Sequence, residues 1–259
     1  MLPFVDVHVH LLAGLDDGPK TQAEAVEMCQ MLVAEGVGLS VALSHQNYLY
    51  PEVTPERILQ SIAELQSELT AQQIDLELVP AAEIMIDPDI EVDWAENRYL
   101  SIANQRQYVL LEQPNNLYID IRSVVNFFRE QRIRPILAHA ERTNEWLYEP
   151  GIIEELISMG CLVQVSTSSI TQPVDQRMER ALRSWFRRGM VHVLGTDAHS
   201  PRRRRPLYAQ AVSVLRRWIG EAQTEQICYH NGNAVLRGLP LRLIKPIPKT
   251  SSWFSRIWN

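Results

Sequence analysis

At 259 residues the chain exceeds the usual domain size, yet α/β barrels reach this length as one unit, so length alone does not demand two domains. Its 25 basic and 31 acidic residues give a formal net charge of −6, which argues against a general nucleic-acid binder. Three dispersed cysteines, Cys29, Cys161 and Cys228, exclude a disulfide framework or thiolate zinc site, and the lack of a basic leader or an apolar run of about 18 residues argues for a soluble, cytoplasmic protein.

In chain order, the first β-like run is FVDVHV (4–9), followed by a helix pattern from Thr21, with a Thr21/Glu24 capping box and a stop at Gly36. GLSVALS (38–44) is the second run, and a helix opening at Thr54 with Pro55 in its first turn comes next. DLELVPAAEI (75–84), YVLLEQ (108–113), RPILAHA (134–140), CLVQVST (161–167) and VHVLGTD (191–197) complete seven runs. Helical patterns near 118–131, 151–160, 175–189, 206–220 and 223–236 lie between or after them. Strands alternating with helices predict parallel βαβ units, and without a nucleotide-binding glycine fingerprint they point to a barrel. Pro240, Pro246 and Pro248 mark a linker, so the barrel domain is expected over 1–238 and a basic, aromatic tail over 239–259.

Residues i and i+2 of a strand face the same side, so His8 and His10 project together, with Asp6 behind them. An H-x-H pair alone is a weak signal, equally compatible with two hydrogen-bonded histidines. Yet six of the seven runs end in metal-type side chains: Asp17 after the first, then His45, Glu83, Glu112 and His139, and Asp197 with His199 after the seventh. In a parallel barrel these ends converge on one mouth. Nine nitrogen and oxygen donors exceed what one ion of four to six coordination accepts, so two or three metals are implied. Five of the seven histidines belong to this set, while His192 and His230 read as structural. Asp17, directly before Gly18, is preferred to Asp16 as a ligand. Asp16 reads as a turn carboxylate and Asp6 as an acceptor orienting a ligand histidine.

The order H-x-H, D-D-G, S-H, A-E-I, L-E, A-H-x-E-R and D-x-H resembles the PHP (polymerase and histidinol phosphatase) superfamily. Within it, D-D-G-P-K-T, P-I-L-A-H-A-E-R and T-D-A-H-S resemble the bacterial PHP-type protein-tyrosine phosphatases of capsule and exopolysaccharide biosynthesis (CpsB/CapC-like), over residues 4–237. The resemblance implies a distorted (β/α)7 TIM-like barrel holding three divalent ions, most often manganese, although iron, zinc or magnesium suit such donors. One ion would take His8, His10, Glu83 and Asp197; Glu83 would bridge to a second held by Glu112 and His139; the third would take Asp17, His45 and His199. Arg142 matches the arginine of H-x-E-R and would grip phosphate. In HSPRRRRP the second such arginine is either Arg204 or Arg205, while Arg202 and Arg203 read as solvated charge.

The implied reaction is attack of a metal-bridging hydroxide on the phosphorus of phosphotyrosine. A cysteine-dependent mechanism requires arginine six residues after the thiolate, where Glu35, Thr167 and Ala234 stand instead. The implied partner is the autophosphorylated, tyrosine-rich tail of a bacterial tyrosine kinase at the inner face of the cytoplasmic membrane. Residues 241–259, with Arg242, Lys245, Lys249, Arg256 and three aromatics, could contact that membrane peripherally. Two other readings stay open: a phosphoesterase acting on a small metabolite such as histidinol phosphate, and a non-catalytic phosphotyrosine-binding scaffold.

Overall fold

The computed structural model describes residues 2–114, 117–243 and 246–247. Seven parallel strands run in sequence order: β1 (Phe4–Asp6), β2 (Val37–Gln46), β3 (Glu77–Met85), β4 (Tyr108–Glu112), β5 (Arg134–Leu137), β6 (Leu162–Ser166) and β7 (Val193–Gly195). The ends of the sheet meet. Val7 donates its N–H to Leu194 O at 3.1 Å and Asp197 donates to His8 O at 2.7 Å, while Val9 bridges to Ala198. The result is a TIM-like α/β barrel with its seam between β1 and β7.

Every residue of β4 and β6 is buried, as expected of parallel strands covered on both faces. The covering helices are α1 (Gln22–Ala34), α2 (Pro55–Ala71), α3 (Ile90–Ala95), α4 (Arg122–Glu130), α5 (Asn144–Tyr148), α6 (Pro150–Ser158), α7 (Thr167–Thr171), α8 (Gln176–Arg187), α9 (Ala209–Ile219), α10 (Glu221–Glu225) and α11 (Gly232–Leu236). Three of them, α1, α2 and α8, start on a side-chain cap, at Thr21, Thr54 and Asp175. Thr21 Oγ1 accepts from Glu24 N at 3.2 Å, and Asp175 accepts from Met178 N at 2.7 Å. The Glu24 carboxylate reaches back one residue further than a capping box requires, accepting from Lys20 N at 2.8 Å.

Three departures from the predicted elements concern the site. The first run is a regular strand only to Asp6, with a register shift against β2 between Phe4 and Val5; beyond Asp6 the chain holds its neighbours through isolated bridges at Val9 and His10. Short helices α3, α5 and α7 lie within connections, and five or six residues are too few to display a 3.6-residue period. The predicted helix over 223–236 is split by a π-turn at Gln226–Asn231 between α10 and α11.

Past residue 238 the described chain still lies on the barrel. Tyr108 Oη donates to Leu239 O at 2.7 Å, Ile247 N–H donates to Arg187 O at 2.7 Å, and Leu241 and Ile247 pack on the core. Residues 248–259, which carry most of the predicted membrane contact, lie outside the described residues. No helix among the described residues is long and apolar enough to cross a membrane.

Candidate metal centre

His8 and His10 leave β1 and enter the C-terminal mouth of the barrel, where both side chains are fully buried. Glu83 comes up beside them from β3. Its Oε2 lies 3.2 Å from His8 Nε2, from His10 Nε2 and from His45 Nδ1, while Oε1 lies 2.9 Å from His139 Nε2. Glu112, ending β4, stands 3.4 Å from His139 and 3.5 Å from His45. Asp17 Oδ1 is 3.3 Å from His199 Nε2 and 3.5 Å from His45 Nε2, and Asp197 Oδ1 is 3.4 Å from His8 Nε2. All nine predicted ligands therefore gather at one mouth.

Four overlapping sets could each hold an ion: His8, His10 and Asp197; His8, Glu83 and His139; His45, Glu83 and Glu112; and His10, Asp17, His45 and His199. This grouping shares His8, His10 and His45 as well as Glu83 between neighbouring sets, where the sequence-derived partition shares Glu83 alone. The donor set fits metal ions on a specific observation. His8 Nε2, His10 Nε2, His45 Nδ1, His199 Nε2 and both oxygens of Glu83 are buried without hydrogen-bond geometry to any partner. Orphaned buried polar atoms are costly, and cations shared among these sets would satisfy them.

Electrostatics support this. Burial opposes charge on His10 and His139, yet facing carboxylates (Asp16 and Glu83 for His10; Glu112 and Glu83 for His139) hold both imidazoles up at about 10. Burial likewise opposes ionisation of Glu83, but His8, His10 and His139 pull its carboxyl well below the usual range. A site that retains protons this tightly is one where divalent cations can replace them.

Supporting hydrogen bonds aim the imidazoles. His10 Nδ1 lies 2.8 Å from Asp16 Oδ2, which also accepts from His45 N at 2.9 Å, while Asp16 Oδ1 accepts from Gly18 N at 2.8 Å. Asp16 therefore shapes its turn as predicted and, in addition, orients a candidate ligand. Asp6 does not orient an imidazole: it accepts from the main-chain N–H groups of His8 and Thr196 and from Thr196 Oγ1, tying β1 to the end of β7. The prediction for Asp6 is corrected accordingly, since the side chain stays at the seam below the imidazoles.

Sequence reading missed Gln164, the contribution of β6. Its Oε1 lies 3.0 Å from His8 Nδ1 and accepts from His139 N at 2.6 Å. A lone glutamine in the apolar run CLVQVST was the available signal, since a buried amide needs a partner. His139 and Asp197 both adopt positive φ, 27° and 52°, a strained conformation that turns strand ends sharply into the mouth.

Arg142 and Arg204 occupy the rim, and both donate to Asp197 Oδ2. Arg142 also reaches Ser166 Oγ at 3.4 Å, and Arg204 lies 3.9 Å from Asp17. Arg205 is not among the gathered side chains and is exposed; its carbonyl accepts from Leu207 N. Of the remaining histidines, His192 is buried and accepts from Val163 N at 3.0 Å, and His230 pairs with Glu225 at 3.2 Å.

Residues 4–237 match the family model described as capsular polysaccharide synthesis, CpsB/CapC. The tyrosine-protein phosphatase YwqE of Bacillus subtilis strain 168 is 25% identical over 247 residues, covering 94% of this chain and 96% of that protein. The putative tyrosine-protein phosphatase CapC of Staphylococcus aureus is 28% identical over 258 residues, covering 96% and 98%. Among solved structures, one described with YwqE and CpsB of Streptococcus pneumoniae as unique metal-dependent tyrosine phosphatases superposes with a TM-score of 0.86 at 24% identity, covering 95% of this chain and all of that one.

Proposed function

The chain belongs to the CpsB/CapC family of capsular polysaccharide synthesis proteins, and from that premise we propose that it is a metal-dependent phosphoric monoester hydrolase acting on protein phosphotyrosine. The observation that carries this reading is the pairing of a largely buried cluster of nine metal-type side chains, several with unpaired polar atoms, with two guanidiniums at its rim. Divalent ions bound there would supply Lewis acidity and lower the pKa of water near neutral pH. We assign three of them, manganese first, to His8, His10, Asp17, His45, Glu83, Glu112, His139, Asp197 and His199.

The chain's own groups do the rest. Gln164 and Asp16 fix the orientation of His8 and His10, and with it the lone pair each presents to an ion. Arg142 and Arg204 share one Asp197 oxygen, so a phosphoryl group arriving at the rim would meet two guanidinium forks held side by side there. The phenolic leaving group, with a pKa near 10, departs without a dedicated general acid.

The proposed substrate is the tyrosine-phosphorylated tail of the cognate bacterial tyrosine kinase, met at the inner face of the cytoplasmic membrane. The test compares phosphate release from a phosphotyrosine peptide and from histidinol phosphate by manganese-loaded protein. Preference for the peptide is expected. Preference for histidinol phosphate would replace this reading with a metabolite phosphatase, and peptide binding without phosphate release would replace it with a scaffold.

A further inference from the structure

Two clefts open beside the mouth. The larger, about 500 Å³, lies on the His45 side and is lined by Tyr48, Tyr50, Asp87, Asp89, Asp93 and Arg98 among others. Its carboxylates disfavour an incoming dianion, and its cation Arg98 is already paired with Asp93 at 2.9 Å and Glu96 at 2.6 Å. The smaller cleft, about 270 Å³, has His139 and Arg142 of the centre in its own wall, with Gln113, Pro114, Leu117 and Tyr118 around them. Leu117 is 60% exposed, although a leucine at that position contributes nothing to the core.

Gln113 gives this cleft its polar address. The residue is only 7% exposed and its Nε2 donates to Ile119 O at 2.9 Å, which fixes the orientation of the amide. Its Oε1 is therefore an acceptor, and it is buried without a partner. Gln113 lines a cleft that reaches the reacting centre, and its unpaired carbonyl oxygen is an acceptor for an N–H donor brought by a ligand.

Building on the phosphotyrosine reading, we propose that this cleft seats the substrate's aryl ring between Leu117, Pro114 and the Arg142 side, with Gln113 Oε1 accepting a peptide N–H of the chain that bears it. The ring gains apolar contact and a guanidinium neighbour. The peptide gains a hydrogen bond that a free aryl phosphate lacks. The cleft therefore selects phosphotyrosine within a polypeptide over alkyl phosphates, which have no ring to fill it.

The experiment uses the full chain, manganese-loaded, and a non-hydrolysable peptide carrying phosphonomethyl-phenylalanine, with binding measured by calorimetry. Leu117→Ser, at an exposed position that leaves the core intact, should weaken binding about tenfold, the scale of a lost apolar pocket contact. Gln113→Met should weaken it comparably. Leu49→Ser, 62% exposed on the other side of the mouth, should bind as wild type. Wild-type affinity in Leu117→Ser, or an equal loss in Leu49→Ser, would overturn the proposal. A wild-type protein that neither binds this peptide nor hydrolyses phosphotyrosine would instead overturn the function on which it rests.

Discussion

A β-carbon placed on Gly195 would lie 2.3 Å from Cβ of His8 and 2.9 Å from its main-chain nitrogen. Strand β7 passes the first candidate ligand at a separation that only a hydrogen atom allows. Because the obstacle includes backbone, a rotamer change cannot relieve it. Gly195→Ala should lose about 3 kcal/mol in urea unfolding, the upper range for overpacking a core, and its metal content should fall with the displaced His8.

Glu83 faces four imidazoles from two oxygens, more than any other carboxylate described. Glu83→Gln keeps its volume and removes its charge. Elemental analysis should show metal loss, and aryl phosphatase activity should fall at least about a hundredfold, since ligands and their supports act as one unit. Dialysis against a chelator should abolish the same activity in the wild type, and manganese should restore it. The melting temperature should rise with added metal, because a ligand binding only the folded state stabilises it.

Gln164 carries no formal charge and touches no proposed ion, yet it holds His8 and His139 together. Gln164→Leu fills the same space without the acceptor. Metal titration should show affinity reduced by about ten- to a hundredfold. An unchanged affinity would mean that packing alone orients the two imidazoles.

The arginines should separate by position. Arg142→Ala is expected to lower kcat/KM about 10²- to 10³-fold with metal content intact, as for loss of a group stabilising charge in the transition state. Arg204→Ala should fall in the same direction. Arg205→Ala should change kcat/KM by less than about twofold, as for a solvated charge.

His192 provides a pH-dependent test away from the centre. Burial holds its imidazole down at about 4, against 6.5 for the free side chain, and its Nδ1 accepts from Val163 N. Between those values the unfolded chain binds the extra proton, so this contribution is complete above pH 6.5 and is lost as pH falls towards 4. The span corresponds to about 3 kcal/mol. In chemical denaturation at pH 7 and pH 4.5, His192→Gln should lose less stability on acidification than the wild type does.

The sequence by itself determined the barrel, the order of its strands and the gathering of nine metal-type side chains. A period of two brought His8 and His10 to one face, and parallel strands deliver all their C-terminal ends to one mouth whatever the loops do. Arg142 was legible through its fixed distance from His139. What only the tertiary structure decided depends on contacts across the seam and on individual loop conformations. Gln164 lies 156 positions from His8 in the chain and meets it only because closure of the barrel between β7 and β1 leaves β6 a single strand away from His8. Asp6 and Asp16 divide their roles according to which atoms the closing seam and the turn at Gly18 bring near. Arg204 rather than Arg205 reaches Asp197 because the loop after β7 folds back on itself, with His199 N and Ser200 N both donating to Arg204 O. Such choices turn on single backbone dihedrals, positive at His139 and Asp197, and residue patterning along the chain carries no record of them.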